Sequence, residues 1–411
     1  MRTPDSVVIV GSGIIGASIA YQLARRDVGV IVLEKANGPA EGSTGASAAF
    51  IRCRYTHPEV IRIASDSQKI FRDWASFTGL DEPRASLHEM GVLWMLGETR
   101  ERVHAERDKL RAQGVTASML SPQEVAGRFP ALATCDIRLD LTGKSEHVCR
   151  DGEGFLFEDR GGFTDPVGAT QDLVEAAQRR GAKFLFGSRV VAVRTGGDSV
   201  IGVTLGDGTT IDADLVINAA GPWCNELNRL AGVDLRWSLT PTRIQMVYCS
   251  WPSDIGLIPV IIDMATMNGF RLEASQQQVL SVSGRPDDEQ EIVADPDSFN
   301  TSADSPFKDI NLAALYHRVP DLEASGMPTG ISGLYTINRA DHHPVLGPSG
   351  VDGFWVASGF SGHGLKLGPA IGSMVAKAVT GSSLPSDTAI PMDYFSVDRA
   401  PLSLGVKNVF A

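Results

Sequence analysis

The N-terminal part of the chain alternates between short apolar runs and one segment with helical periodicity. Residues 6–10, SVVIV, form an apolar β-branched run, and ASIAYQLARR at 17–26 has apolar residues spaced as on a helix face. The run VGVIVLE at 28–34 predicts a second buried strand. Together the three segments predict a βαβ unit.

A second region of the same kind follows after a long interval. The stretch 161–187 predicts a turn, a helix that begins near Asp165 and Pro166, and another strand. The interval at 56–150 contains a charged helix at 98–113, and we interpret it as an insertion. The first sheet is therefore expected to resume after an interruption.

Short β-rich runs dominate the middle of the chain. Residues 188–221 contain runs separated by GGD and GDG turns, which predict a small antiparallel meander that ends in a buried strand. Further runs at 236–284 predict a second, mostly antiparallel sheet. The stretch 285–306 is acidic and rich in Asp, Ser and Pro, so we interpret it as a solvated loop outside any active element.

The C-terminal part returns to the first pattern. FWVASG at 354–359 predicts a strand, and PAIGSMVAKAVTG at 369–381 predicts a helix with Pro369 at its first position and Gly381 past its end. The N- and C-terminal segments are therefore expected to build one sheet, with a second domain inserted between them.

Composition narrows the class of protein. At 411 residues the chain exceeds the usual size of one core, which favours two connected domains. A net charge of −12 disfavours nucleic acid as a partner, and no apolar run is long enough to span a membrane. Because the chain reaches a strand within a few residues of Met1, no signal peptide is expected, and a cytoplasmic location is the default.

Cysteine and histidine spacing favours no metal site. The five cysteines are scattered without a CxxC pair, so neither zinc nor a disulfide framework is indicated, and buried free thiols are expected. His342 and His343 are adjacent, and neighbouring residues on an extended chain point to opposite faces. We therefore expect no metal.

The motif GSGIIG lies between the first predicted strand and helix. Gly11, Gly13 and Gly16 permit a tight turn, close approach of a pyrophosphate to the helix N-terminus, and close packing of helix on sheet. Glu34 ends the second strand, where its carboxylate can accept from both ribose hydroxyls. An acidic residue there disfavours a 2′-phosphate, so the motif predicts FAD or NAD.

Two further stretches of small residues suit a flat polar ligand. The loop at 41–55 carries Ser43, Thr44 and Ser47, which can donate to a phosphate or a flavin edge, although alone it is an ordinary Gly/Ser loop. GFSGHGLKLG at 359–368 would let backbone amides reach a flavin's pyrimidine edge, with positive charge from Lys366 and from the following helix. A positive environment there favours hydride acceptance by a flavin.

With VINAAGPW at 216–223 and YTINRADHHPVLG at 335–347, these stretches resemble the D-amino acid oxidase superfamily of flavoenzymes, most closely its sarcosine oxidase and dimethylglycine dehydrogenase branch. The resemblance implies an α/β fold: a Rossmann-like FAD-binding domain of glutathione-reductase type with an inserted, mostly antiparallel α+β substrate domain. We assign 1–55, 150–228 and 330–395 to the FAD-binding domain, 56–149 and 229–329 to the substrate domain, and 396–411 to a C-terminal tail.

The resemblance also implies roles for individual residues. Arg52 and Lys366 would flank the substrate carboxylate, the first as a planar fork and the second as a point charge. Tyr335 would line the substrate side of the flavin, with a packed core tyrosine as the alternative. Gly333 stands where some sarcosine oxidases attach the flavin through cysteine, and no histidine lies between Glu34 and Arg52, so noncovalent FAD is expected.

The implied FAD contacts extend over most of the chain. Val190 would meet the adenine through its backbone, and Gly221 would let the chain pass close to the phosphate and ribose. The full set of expected cofactor contacts is Gly11, Ser12, Gly13, Ile14, Ile15, Gly16, Glu34, Lys35, Ser43, Thr44, Ser47, Val190, Ala220, Gly221, Trp223, Gly333, Gly359, Ser361, Gly362, His363, Gly364 and Lys366.

The implied activity is oxidation of the C–N bond of a carboxylate-bearing amine, a secondary or N-methyl amino acid, by hydride transfer to flavin N5. A D-amino acid oxidase or dehydrogenase shares nearly every motif, and a flavin-stabilised assembly or scaffold protein is an alternative of another class. An aromatic hydroxylase is disfavoured because the late strand leads into ASGFSGHG and not into a GD pair. No lysine aligns near Ser281 and Arg285, so the choice between oxygen and another electron acceptor stays open, as does the oligomeric state.

Overall fold

The structure is a computed structural model that describes residues 4–141, 144–273, 277–322, 326–403 and 410. The strands, in chain order, are β1 (Ser6–Val10), β2 (Gly29–Leu33), β3 (Phe50–Ile51), β4 (His88–Glu89), β5 (Val92–Met95), β6 (Ala117–Leu120), β7 (Phe155–Glu158), β8 (Gly162–Phe163), β9 (Lys183–Leu185), β10 (Val190–Gly196), β11 (Ser199–Leu205), β12 (Thr210–Asp212), β13 (Leu215–Asn218), β14 (Leu239–Ser250), β15 (Val260–Asp263), β16 (Asn268–Glu273), β17 (Gln278–Ser283), β18 (Thr329–Asn338), β19 (Val345–Pro348) and β20 (Phe354–Ser358). The α-helices are α1 (Ile14–Ala24), α2 (Pro58–Arg72), α3 (Trp74–Thr78), α4 (Arg100–Ala112), α5 (Pro122–Arg128), α6 (Pro166–Gln178), α7 (Cys224–Leu230), α8 (Ser305–Arg318) and α9 (Gly364–Thr380).

A six-stranded sheet joins the two ends of the chain in the order β19, β20, β13, β1, β2, β9. All neighbours are parallel except β19, which runs antiparallel to β20. From β1 the chain moves outward to β2 and β9, and it then returns to the other side of β1 through β13 and β20. The predicted union of N- and C-terminal segments is confirmed, and the reversal beside β1 creates the crevice in which such sheets bind ligands.

An eight-stranded sheet has the order β18, β14, β17, β16, β15, β5, β7, β6, and only β5 and β15 pair in parallel within it. The predicted second, mostly antiparallel sheet is thus confirmed. β7 and β18 fall in the ranges assigned to the FAD-binding domain, yet both pair with strands of this sheet. The residue boundaries of the two domains stay a prediction.

Two small sheets complete the β structure. β10, β11 and β12 form the predicted antiparallel meander, and β8 lies between β3 and β4. The helix predicted to begin near Pro166 is α6, whose N-cap Asp165 accepts a hydrogen bond from the backbone N–H of Val167. The predicted charged helix is α4. No described helix has the length and apolarity that a membrane crossing requires.

The predicted start of the C-terminal helix is wrong. α9 begins at Gly364, and Pro369 lies inside it, while Gly381 ends it in a left-handed conformation as predicted. Pro369 has no N–H to donate to the carbonyl of Leu365, four residues earlier. Ser67 of α2 binds the helix on either side of the proline, where its hydroxyl donates to the Leu367 carbonyl and accepts from the Ala370 N–H.

Glycines allow α9 to lie directly on α1. A Cβ added at Gly372 would stand 2.7 Å from the carbonyl of Ser18, and one at Gly368 would stand 3.0 Å from Ile14 Cγ1. The two helices therefore approach closely beside β1. This contact fixes the C-terminal helix next to the N-terminal glycine motif.

Two other expectations are corrected by the fold. Residues 285–306 do not form a merely solvated loop, because Pro296, Asp297, Phe299 and Thr301 line the main cavity described below. The cysteines are not all buried thiols, since Cys149 is exposed.

Candidate active site

A cavity of about 490 Å³ opens at the carboxyl ends of β1 and β13, where the direction of the chain through the six-stranded sheet reverses. Most of the residues predicted to bind a cofactor line it. These are Gly11, Gly13, Ile14, Ile15, Glu34, Lys35, Ser43, Thr44, Ser47, Val190, Ala220, Gly221, Trp223, Gly359, Ser361, Gly362 and Gly364, and Tyr335 joins them.

The turn between β1 and α1 has no room for side chains. Gly11 has φ of 106°, and a Cβ there would stand 2.4 Å from the Ala219 carbonyl oxygen. A Cβ at Gly16 would stand 1.9 Å from the Gly11 carbonyl oxygen, so Gly16 packs the helix against the turn and does not line the cavity. The N-terminus of α1 consequently reaches the cavity with its backbone, as anion binding at a helix end requires.

Glu34 is held by the same turn. Its Oε2 accepts from the backbone N–H and the hydroxyl of Ser12, each at 2.9 Å, and its Oε1 accepts from Ala36 N at 2.9 Å. Ser12 is fully buried and acts through Glu34 instead of lining the cavity. A carboxylate offers about four acceptor positions, so with three in use Glu34 retains about one for a ribose hydroxyl.

One side of the cavity mouth is built around Trp223. The Lys35 ammonium lies 3.7 Å from the centroid of the Trp223 ring and forms an ion pair with Asp297. The indole Nε1 of Trp223 also donates to Asp297, at 3.0 Å. Asp297 thus connects the acidic stretch, residues 285–306, to the part of the cavity beside Glu34, Lys35 and Trp223. We call this part the nucleotide end, because Glu34 is the residue expected to bind the ribose.

The loop after β2 brings small polar groups to the cavity. Thr44 Oγ1 accepts from the backbone N–H of Ile14 at 3.1 Å, which ties the loop to the N-terminus of α1. The hydroxyl oxygens of Ser43 and Thr336 are buried and have no hydrogen-bond partner within the described ranges. Because both residues line the cavity, two buried polar groups there are available to a ligand.

The segment before α9 turns sharply at the cavity wall. Gly359, Ser361 and Gly362 all have positive φ, and the Ser361 hydroxyl accepts from the backbone N–H of Asn338 in β18. Because α9 begins at Gly364, and Gly364 and Leu365 line the cavity, the helix N-terminus lies at the site itself. The corrected helix start therefore strengthens the expected partial positive charge.

Arg52 is buried beside the cavity, with 2% of its surface exposed. Its guanidinium carbon lies 4.7 Å from the centroid of the Tyr55 ring and 5.2 Å from that of Trp94. It also donates to the Arg54 carbonyl. Two aromatic faces and a backbone acceptor thus set its orientation.

Lys366 is 6% exposed, and its ammonium donates to the Gly362 carbonyl at 3.2 Å. Burial and the positive charge of Arg52 hold the pKa of Lys366 well below its usual range. Neither cation is among the side chains that line the cavity. Arg52 packs on the Tyr55 ring, and the Tyr55 hydroxyl contacts His363, three residues before Lys366, so a short series of contacts connects the two cations predicted to bind a carboxylate.

Neutral groups surround this pair. His363 Nδ1 lies 3.2 Å from the Tyr55 hydroxyl. Burial lowers the pKa of His363 well below 6.5, and the positive charges of Lys366 and Arg52 lower it further. Burial, with a smaller contribution from Glu289, raises the pKa of Tyr335 to about 12, so its hydroxyl stays protonated. Gly333 does not line the cavity, and a Cβ there would stand 2.4 Å from Ala46 Cβ.

Glu158 is a supporting residue that the sequence does not reveal. This fully buried carboxylate accepts from the backbone N–H groups of Cys53 and Arg54 at 2.6 and 3.0 Å, and from Trp94 Nε1 at 2.8 Å. Burial raises the pKa of Glu158, while these donors and Arg52 act in the opposite direction. The only local signal is an acidic residue that ends the apolar run FLFE.

Other cavity-lining residues also escaped sequence analysis: Ser188, Arg189, Glu226, Leu227, Phe299, Thr301, Thr336 and Phe360. His342 and His343 illustrate a wrong argument, because His342 has φ of 58° and the chain there is not extended. His342 instead faces Glu289, with Nε2 3.4 Å from Oε2.

The site fits the cofactor that its motif predicts. The glycine turn excludes side chains where a pyrophosphate must approach, Glu34 has acceptor capacity for a ribose, and two buried hydroxyls are unpartnered within the described ranges. A family model described as DAO, FAD dependent oxidoreductase, matches residues 6–378.

Individual proteins extend this similarity. FAD-dependent oxidoreductase domain-containing protein 1 of Xenopus laevis is 27% identical over 408 residues, covering 91% of this chain and 78% of that protein. Mitochondrial sarcosine dehydrogenase of Mus musculus is 26% identical over 382 residues, which cover 90% of this chain but only 39% of that longer protein. The solved L-proline dehydrogenase from P. horikoshii has the same fold, with a TM-score of 0.79, 22% identity, and coverage of 97% of this chain and 98% of that one. The chain belongs to the DAO family of FAD-dependent oxidoreductases and is an FAD-dependent enzyme.

Proposed function

We propose that the enzyme oxidises the C–N bond of a carboxylate-bearing amine, and that a secondary or N-methyl amino acid is its substrate. The observation that carries this proposal is the pair of buried cations, Arg52 and Lys366. Lys366 forms no ion pair with any described residue. A buried cation next to a like charge is costly, and a bound carboxylate would compensate both.

The two cations have complementary geometries for an acid group. The Arg52 guanidinium, held against Tyr55 and Trp94, offers a planar pair of donors to two carboxylate oxygens. Lys366 contributes a compact charge from the first turn of α9. In this proposal the substrate amine points toward Tyr335, which lines the cavity.

No side chain needs to act as a strong base. The acidic residues that line the described cavity are Glu34, Glu41, Glu226 and Asp297. Glu34 is bound by the glycine turn, Glu226 faces Arg189, and Asp297 pairs with Lys35, so these three serve the nucleotide end. The amine would enter neutral, having lost its proton to water, and buried cations would favour that neutral form.

Bound FAD supplies the acceptor for the hydride that leaves the carbon next to the amine nitrogen. The chain's own contribution is to orient the acid group with Arg52 and Lys366 and to keep a protonated hydroxyl on Tyr335 beside the substrate. Noncovalent attachment of FAD remains our expectation, since Gly333 offers no nucleophile. Similarity to sarcosine dehydrogenase and to dimethylglycine dehydrogenase supports the secondary-amine preference.

An anaerobic screen of the purified holoenzyme tests the proposal. N-methylglycine, L-proline and other secondary amino acids should bleach the flavin absorbance, whereas N-methylethylamine, which lacks the carboxylate, should not. Bleaching by D-amino acids alone would establish the D-amino acid alternative. If no amine with a carboxylate reduces the flavin, the proposed reaction is wrong and a noncatalytic assembly role is favoured.

A further inference from the structure

A second group of reactive side chains lies where residues 132–141 and 144–152 meet the end of α8. Ala133 N donates to the Arg318 carbonyl at 2.9 Å, and Arg318 Nη1 donates to the Cys135 carbonyl at 2.9 Å. Asp136 N donates to the Arg150 carbonyl at 3.0 Å, and so the two ends of this segment run side by side. This backbone pairing brings residues distant in sequence to one point.

Three ligand-type side chains meet at that point. The ligating atoms of Cys135, His147 and His317 all lie within 4.8 Å of one another, and Cys135 Sγ is 3.3 Å from His147 Nε2. The rings of His147 and His317 are 4.9 Å apart and nearly perpendicular. Cys149, an exposed thiol, follows His147 by two residues. None of these four residues lines the FAD cavity.

One member of the group lacks a partner. The Nε2 atom of His317 is buried and makes no hydrogen bond within the described part of the chain. A buried imidazole nitrogen without a partner costs free energy, which a metal ion at the centre of the group would recover. This observation is independent of the cluster's geometry.

We propose that Cys135, His147 and His317 bind a zinc ion, and that the thiol of Cys149, two residues after His147, completes a tetrahedral site. Two thiolates and two imidazoles are a ligand set that zinc favours, and four protein ligands leave no open position, which is typical of a structural site. Binding would release the two thiol protons, and the two thiolates would neutralise the ion. Arg318 should repel the metal ion only weakly, because its positive charge is balanced by the Asp263 carboxylate at 2.8 Å.

The site would fasten residues 132–141 and 144–152 to α8. Spacing does not predict it, because the chain has no CxxC pair. The short pair His147 and Cys149 was the only local signal, and the remaining ligands come from a distant turn and from α8.

Cobalt binding to the reduced, chelator-treated holoenzyme tests the proposal. Equimolar Co²⁺ should produce the visible bands of tetrahedral cobalt with thiolate-to-metal charge transfer, and Zn²⁺ should displace it. Elemental analysis of untreated protein should find equimolar zinc. FAD content should not change on metal removal, which separates this result from the proposed function.

Variants with matched controls locate the site. Cys135→Ser and His317→Asn should abolish the cobalt spectrum. Cys249→Ser, at another buried cysteine, and His104→Asn, at another half-buried helical histidine, should retain it. If the reduced wild-type chain gives no tetrahedral cobalt bands, the proposal is overturned. An intact mass lower by two hydrogens, with no metal uptake after reduction, would instead show a Cys135–Cys149 disulfide and equally overturn it.

Discussion

Burial and the positive charge of Arg52 together hold the pKa of Lys366 well below its usual range. Arg52 follows the small-residue loop near the N-terminus, and Lys366 lies in the first turn of α9 near the other end of the chain. Both side chains are buried, with 2% of Arg52 and 6% of Lys366 exposed. A carboxylate is the ligand that such a pair favours, and five predictions test this account of the site.

Carboxylate binding should be coupled to proton uptake. The free enzyme's lowered Lys366 pKa means that this amine loses its proton at a lower pH than an ordinary lysine, and a bound carboxylate raises the pKa again. Between the free and bound pKa values, the affinity for propanoate should therefore fall as pH rises. Calorimetry in buffers of different ionisation enthalpy measures the proton uptake. Binding without proton uptake at every pH would contradict the assignment, and Lys366→Met should remove the coupling.

Lys366→Met should raise KM and slow flavin reduction together. Hydrogen bonds to charged groups are worth about 1.5–3 kcal/mol, so a loss of about ten- to a hundredfold in kcat/KM is expected. Stopped-flow reduction with the substrate from the anaerobic screen measures it. Lys377→Met, at an exposed lysine in the last turn of the same helix, is the control and should behave as wild type. Unchanged reduction kinetics in Lys366→Met would remove the lysine from the substrate site.

Glu158→Gln should weaken substrate binding indirectly, through the position of Arg52, because Glu158 itself does not touch the substrate in this proposal. The carboxylate accepts from the backbone N–H groups of Cys53 and Arg54 and from Trp94 Nε1. The NH₂ group of a glutamine would face at least one of these donors with another donor. An unsatisfied buried donor costs about 1–3 kcal/mol, so the free energy of unfolding should fall by about that amount. The position of Arg52 should also shift, which should raise KM. Denaturant unfolding and KM measure the two effects. Glu101→Gln, at an exposed residue of α4, should change neither; a normal KM in a destabilised Glu158→Gln variant would limit the residue to stability.

Gly11→Ala should prevent FAD binding. The new Cβ would meet the Ala219 carbonyl oxygen at 2.4 Å in a residue with φ of 106°. Gly181→Ala is a matched control, because Gly181 has φ of 91° but open space around it. Overpacking should make the first variant about 1–3 kcal/mol less stable than the second. The ratio of flavin to protein absorbance measures occupancy, and equal FAD content in the two variants would mean that close approach at Gly11 is unimportant.

Asp297→Asn should weaken FAD binding modestly. Asp297 pairs with Lys35 and accepts from Trp223 Nε1, so its loss should loosen the acidic stretch at the cavity mouth. Partly exposed ion pairs contribute about 0.2–1 kcal/mol, so the Kd for FAD should rise less than about tenfold, and more at low salt. Fluorescence titration of apoenzyme measures it. Asp287→Asn, in the same stretch but away from the cavity lining, should leave the Kd unchanged. If Asp297→Asn leaves the Kd unaltered, residues 285–306 contribute nothing to FAD binding, as expected of a solvated loop.

Most of the fold was accessible from local patterns. The βαβ unit, the meander, α4, α6 and the antiparallel sheet follow from apolar periodicity and turn residues, and the structure confirms them. The start of α9 did not follow, because proline is common at a helix start but here lies inside the helix. Ser67 of α2 binds the backbone on either side of Pro369, a contact with a distant segment that no local rule records.

The local motif predicts the glycine turn and Glu34, and the two cations follow from the resemblance to a family. Three arrangements come from the tertiary structure alone. Glu158 accepts from the backbone N–H groups of Cys53 and Arg54, Asp297 pairs with Lys35 and accepts from Trp223, and the ligating atoms of Cys135, His147 and His317 converge. These contacts join segments far apart in the chain. Their partners are chosen by strand pairing and helix packing, which no local spacing records.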